Sequence, residues 1–229
     1  VEVAVSVPAH IADRVAEALD ALYRRPDQTL LAWYRYAIYQ ALVADRSRAS
    51  YAARAWIDLL SVQHVLFCWQ PYARAGWHAT WLQPNDLLGL AEQILCGTAD
   101  AAVVQRQITR AEALADVVGE PAASARYAEW CVFEAALRAL RSAWSYQLCC
   151  TTPAQPNSWD AGGVALDDAS GYAAIAVAGR LSPAHSDPLP LTGHSSPAAR
   201  READDVQLRR TFFWEWWLRE AIPQAWQRR

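Results

Sequence analysis

Arg209-Arg210-Thr211-Phe212-Phe213-Trp214-Glu215-Trp216-Trp217-Leu218-Arg219-Glu220-Ala221-Ile222-Pro223, closed by Trp226, is the stretch that decides the fold. Five of its residues in the six positions 212–217 are aromatic, too much apolar surface to leave in water. Wound at 100° per residue, Phe213, Trp214, Trp217, Leu218 and Ala221 share one broad face, with Phe212 and Trp216 on the other side. Glu215 and Arg219, four apart in the favourable acid-before-base order, occupy a narrow polar strip between the two. Arg210 points to the same side as Trp214 and Trp217, within stacking reach of an indole. A helix apolar on nearly all sides belongs inside a bundle or under a partner.

Working outward, the 229-residue chain is long enough to bury a sizeable core. A net charge of −3, with every basic residue an arginine and none in a long run, points away from nucleic acid and membrane surfaces. No apolar run reaches the roughly 18 residues of a membrane span, and Val1 to His10 lack the pattern of a signal peptide. The five cysteines, Cys68, Cys96, Cys131, Cys149 and Cys150, are odd in number and irregularly spaced. They read as buried thiols in a reducing compartment, with cytoplasm the default.

The text before the aromatic stretch is helical almost throughout. Ser6 and Pro8 open a first helix through Ile11, Val15, Leu19 and Leu22, stopped by Pro26. Asp27 or Thr29 caps a second, with Leu30, Tyr34, Ile38 and Leu42 along one side. Ser47 begins a third, running through Trp56 and Leu60 to about Trp69, before a loop over residues 70–83. Asn85 or Asp86 caps a short fourth that Gly97 ends, Thr98 caps the fifth, and Pro121 starts a long sixth. Residues 151–199 hold most of the glycines and half of the prolines; within them only Gly171 to Ala178 has an ordered look, as a short helix or a buried strand. Ser196 and Pro197 then start the helix that carries the aromatics, and Pro223 marks its approaching end. The expectation is one all-α domain over residues 1–229: a multi-helix bundle of about seven to eight helices. It divides into a helical bundle (1–150), a long Pro/Gly-rich insertion (151–199) and a C-terminal aromatic helix packed on the bundle (200–229).

Candidate chemistry is thin. Nucleotide-binding glycine motifs, hydrolase elbows and zincin motifs are absent from the sequence, so no catalytic residue is assigned. His64 and Cys68 sit four apart, but a metal site needs three or four ligands and no third is in view; core packing is the plainer reading, with no metal or cofactor called for. His78, between Trp77 and Trp81, reads as a solvated loop histidine before it reads as a site. Glu202, Asp204 and Asp205 form an acidic cluster ahead of Arg209, either a solvated face or a docking surface for a basic partner. Glu215 and Glu220 lie within the aromatic stretch and need partners or solvent, Arg219 being the obvious one for Glu215. Among the tryptophans, Trp33, Trp56, Trp69, Trp130 and Trp144 fall in helices and read as core, whereas Trp77, Trp81 and Trp159 fall in loops.

The order Arg209-Arg210, then Phe213-Trp214-Glu215-Trp216-Trp217-Leu218, Glu220-Ala221-Ile222-Pro223 and Ala225-Trp226, resembles the C-terminal motif of a family of bacterial immunity proteins from polymorphic toxin systems, the all-α family usually numbered five. The resemblance implies a cytoplasmic, non-enzymatic protein that neutralises a cognate protein toxin in a 1:1 complex, and it carries over no catalytic residue. Partner-binding candidates are then Glu202, Asp204, Asp205, Trp77, His78 and Trp81, whereas Arg210, Phe213, Trp214, Glu215, Trp217, Arg219 and Glu220 belong to a structural motif. Two other classes compete. One is an α-helical enzyme or small-ligand binder with an aromatic pocket drawing on His78, Glu215 and Glu220. The other is a helical module whose aromatics form a homo-oligomer seam.

Overall fold

Residues 7–25, 29–69, 82–118, 127–151, 168–178 and 197–229 are described by a computed structural model, with nothing beyond the backbone for a few side chains at helix ends. Eight helices follow one another and no strand occurs among the described residues. They are α1 (Ala9–Arg24), α2 (Ala32–Leu42), α3 (Arg48–Val65, extended by a 3-10 turn, Leu66–Cys68), α4 (Pro84–Leu95), α5 (Ala101–Val118), α6 (Tyr127–Thr151), α7 (Ala169–Ala178) and α8. The last runs as an α-helix over Pro197–Trp216, passes through a π-helical turn at Trp217–Ala221 and resumes over Ile222–Arg228.

The helices end where local chemistry says they must, though not always at the expected residue. Ser47 caps α3 as its position suggests, accepting from the Ser50 N–H at 3.1 Å. Helix α2 starts at an extended Leu31 with no side-chain cap, so Thr29 does not do that work, and Asp27 lies outside the described residues. In α4 the cap is Gln83, one residue before Pro84, and the Asp86 carboxylate returns to the Gln83 N–H at 3.0 Å, completing a capping box. Thr98 closes α4 rather than opening α5. Gly97 takes the left-handed conformation (φ 72°), its N–H reaches Ile94 at 3.0 Å, and Thr98 N–H reaches Gln93 at 2.8 Å, the Schellman pattern. Asp100 then caps α5 through Val103 N–H at 2.9 Å. The start expected at Pro121 falls outside the described residues.

Helices α3 and α6 form the centre. Helix α6 packs against α3, α4, α5 and α7, and between Trp130 and Leu140 only Arg138 is not buried. Helix α7, the ambiguous segment of the insertion, is a helix of small residues buried almost along its whole length. Alanine, glycine and serine let its backbone approach α3, α6 and α8 closely where larger side chains would not fit. Trp56, Trp69 and Trp130 are core residues and Trp144 is half-buried against the core. Trp33 corrects the expectation for helical tryptophans: it is 50% exposed, because α2 buries Arg35, Ile38, Tyr39 and Leu42, a stripe Trp33 does not share. Cys131 is buried and Cys68 half-buried, but Cys96 is exposed at the end of α4, and all three are free thiols.

Pro223 does not stop α8. Inside an α-helix its ring would strike the carbonyl four residues back and its missing N–H would leave a gap. The π turn immediately before it widens the backbone, with Ile222 N–H bonding Trp217 C=O five residues back, and the helix continues to Arg228.

Candidate functional site

The aromatic stretch divides along its two faces. Phe213, Trp214, Trp217, Leu218 and Ala221 are buried, Trp216 is half-buried and Phe212 is 59% exposed. The buried face rests on a polar seat. Trp217 Nε1–H points at Ser61 Oγ of α3 (3.1 Å) and Ser170 Oγ of α7 (3.0 Å), and those two hydroxyls are 3.0 Å apart. Ser61 donates to the Ile57 carbonyl at 2.7 Å, Ser170 lies 3.0 Å from Tyr39 OH, and Tyr39 donates to Asp58 Oδ1 at 2.8 Å. The hydroxyls of Tyr39, Ser61 and Ser170 all have partners, so the seat joins α2, α3, α7 and α8 without the cost of orphaned polar atoms.

Beside it lies an ion pair. Arg35 Nε donates to Asp168 Oδ2 at 2.7 Å, with both side chains nearly buried, and Arg35 Nη1 donates to the Leu30 carbonyl at 3.0 Å. Asp168 uses its other oxygen to accept from Gly171 N–H at the start of α7. The guanidinium over Trp214, 5.1 Å from the ring centroid, is therefore that of Arg35, whereas Arg210 donates to Thr29 Oγ1 at 3.2 Å. Glu215 and Arg219 do not pair directly as expected. Tyr23 of α1 stands between them, donating to Glu215 Oε1 at 2.5 Å and accepting weakly from Arg219 at 3.5 Å. Arg219 belongs to the π turn, which shifts the helical register away from simple four-residue stacking. Glu220 is exposed.

Asp58 is a buried carboxyl with a strongly perturbed proton affinity. Burial pushes it up to about 6, against the opposing charge of Arg54 and the hydrogen bond from Tyr39. Tyr39 is pushed well above the ordinary phenol value by burial and by Asp58 and Asp168. The folded state holds the Asp58 proton at higher pH than the unfolded chain, where aspartate titrates near 3.9. Its stabilising share is thus fully present below about pH 4 and lost as pH rises through 6, roughly 2–3 kcal/mol in all. Urea unfolding of the wild type and Asp58→Asn from pH 4.5 to 7.5 isolates this share. The wild type should lose stability relative to the variant across that range, and a constant difference would refute the assignment.

His64 and Cys68 also depart from expectation. His64 is at the surface rather than in the core, with its ring stacked on Trp216 at 3.7 Å and 12°. Partial burial holds it below the usual imidazole value against a pull from Glu220. Burial raises the Cys68 thiol to about 11, so it is not a ready thiolate at neutral pH. Among the described residues no three His, Cys, Asp or Glu converge as a metal site, and no helix is long and apolar enough to cross a membrane.

The outer face of α8 gathers what the interior leaves out. Asp204, Leu208, Phe212 and Trp216 follow one another at four-residue spacing, with Asp205 beside the first of them. Asp204 and Asp205 are exposed, Leu208 is 50% exposed, and His64 lies flat on Trp216 at the far end. The Glu202 side chain, together with Trp77, His78 and Trp81, lies outside the described residues. Acidic residues and exposed apolar side chains are thereby brought onto one ridge. Sequence reasoning had picked out Asp204 and Asp205 but not Leu208, although its place one turn before Phe212 was readable.

No protein-family model matches this chain, and no curated protein matches it.

Proposed function

We propose that the chain is an immunity protein that neutralises a cognate bacterial toxin in the cytoplasm by forming a 1:1 complex, using the outer face of α8. The observation that carries this reading is the division of labour along α8. Its signature aromatics are consumed by the core, and Asp204, Asp205, Leu208 and Phe212 are left facing solvent as one acidic and apolar ridge. A large exposed phenylalanine flanked by charge is the composition of a protein-docking surface, apolar contact supplying affinity and carboxylates steering a basic partner. The likeness of residues 209–226 to the immunity-protein motif supports the same reading. The inward turn of Phe213, Trp214 and Trp217 removes them from any homo-oligomer seam.

Co-expression with the C-terminal domain of the toxin encoded beside this gene tests the proposal. The wild type should restore growth and co-purify in equal stoichiometry. Phe212→Ala combined with Asp204→Arg should fold normally, both positions being exposed, and weaken the complex by about 2 kcal/mol or more. Protection without physical association, or full affinity in the double variant, would defeat it.

A further inference from the structure

Helix α7 is buried, yet it brings little apolar side chain to the core. Seven of its ten residues are alanine, glycine or serine, and Tyr172 is the only large one among those it buries. Ten residues are too few to stay helical in water without neighbours, so α7 is formed only while it is seated. In sequence it stands well clear of Thr151 before it and Pro197 after it, so it can leave without unwinding either adjoining helix.

What holds it is a set of polar pins from the helices around it. Asp168, at its head, meets Arg35 of α2. Ser170 joins the hydroxyls of Tyr39 and Ser61 and the Trp217 indole. Arg138 of α6 lies over Tyr172, 4.8 Å from the ring centroid, and Arg209 of α8 donates to the Ala178 carbonyl at 3.1 Å. An element seated by polar ties and small side chains belongs to the low-stability end of a fold, where opening precedes global unfolding.

Asp58 lies beneath these pins. Tyr39 OH bridges it to Ser170 at 2.8 and 3.0 Å, and the charge of Asp168 acts on it from the head of α7. Arg54, on its own helix, pulls the other way. The charges on α6 and at the end of α8 are engaged elsewhere: Glu134 with Arg138 at 3.7 Å, Arg228 over Trp56 and Arg229 over Trp226. His64, also on α3, is stacked on Trp216. Departure of α7 takes the Asp168 charge away and admits water to the Tyr39–Asp58 pair, and both changes favour the Asp58 carboxylate. By linkage the proton then favours the seated helix, an advantage present in acid and lost as pH rises through about 6.

We propose that α7 is a proton-sensitive latch: it leaves and regains its seat as a unit while α3 and α6 stay folded, and it is held more firmly when Asp58 is protonated. The consequence falls on α8, whose Pro197–Trp216 portion rests mainly on α7 among the described helices. Release of α7 loosens the segment that carries Asp204, Leu208 and Phe212, whether or not that segment meets a toxin.

Backbone hydrogen exchange of the full-length protein, read by mass spectrometry from pH 5 to 7.5 and corrected for the intrinsic pH dependence of amide exchange, tests this. At pH 7.5 the α7 amides should be at least tenfold less protected than those at the centres of α3 and α6. From pH 7.5 to 5 their protection should rise by about tenfold, with the amides of 206–212 following, and Asp58→Asn should remove that dependence. Tyr39→Phe decides the matter if Asp58→Asn fails to fold: it deletes a hydrogen bond that lowers Asp58, and should move the midpoint to higher pH. Arg209→Ala, at the surface, should lower α7 protection several-fold and leave the centre of α3 unchanged. The proposal is overturned if α7 exchanges only together with α3 and α6, or if its protection is the same at both pH values. It is equally overturned if the pH dependence persists in Asp58→Asn, which would give it to His64, if Tyr39→Phe leaves the midpoint in place, or if Arg209→Ala leaves α7 as protected as before.

Discussion

Replacing Trp217 with alanine should remove about 3–5 kcal/mol of stability, the range for emptying a buried aromatic site. The side chain is fully buried, meets Tyr39 edge-on at 6.0 Å and Trp214 at 5.8 Å, and caps the Ser61–Ser170 pair. Three helices and the C-terminal one therefore lose a shared neighbour at once, in a centre too well supported to collapse into the gap. For a chain of this size the change corresponds to a fall of the order of 10 °C in Tm. Trp217→Phe separates the contributions: it keeps most of the volume but drops the indole N–H, and should cost nearer 1–2 kcal/mol. Both values come from urea unfolding monitored by circular dichroism. A loss below about 1 kcal/mol for the alanine variant would show that the seat is not the centre of the fold.

Arg35→Ala should be about as damaging, roughly 3–5 kcal/mol, for an electrostatic reason. The arginine neutralises Asp168, bonds the Leu30 carbonyl and lies over Trp214, all in a nearly buried setting. Without it the Asp168 carboxylate is left uncompensated toward the interior, where its charge already acts on Asp58. Changing both partners, Arg35→Met with Asp168→Asn, should be much milder, because no charge is stranded and asparagine can still cap α7. A double-mutant cycle measures the difference, and purely additive losses would mean that the pair is not coupled.

How much of this was readable beforehand follows from the range over which each signal acts. The buried face of α8 was legible because helical periodicity needs only neighbours in sequence: Phe213, Trp214, Trp217, Leu218 and Ala221 lie inward as the 100° rule requires. The seat beneath them was not. Ser61, Ser170 and Trp217 are far apart in the chain, and a single serine in apolar helical text carries no periodic mark. Arg35 and Asp168 failed for the same reason, 133 positions apart. Trp33 was misjudged because residue type outweighed pattern, although the stripe through Ile38, Tyr39 and Leu42 excluded it. For the site, the acidic half was visible as a local charge cluster, but the exposed apolar half depended on knowing which side of α8 met α7.

The π turn at Trp217–Ala221 bears on how this chain can vary. It accommodates one residue more than an α-helix would place in the same rise, and beyond it Ile222–Arg228 lies along α3, with Arg228 5.1 Å from the Trp56 ring. Losing one residue from the turn would restore regular winding and leave Ile222–Arg228 facing as it does now, Trp226 still on the core, whereas the same loss elsewhere in α8 would rotate everything downstream by about 100°. The turn is therefore the point of α8 at which related chains can differ by one residue in length with least disturbance of the packing beyond it, while its buried Trp217, Leu218 and Ala221 constrain residue identity.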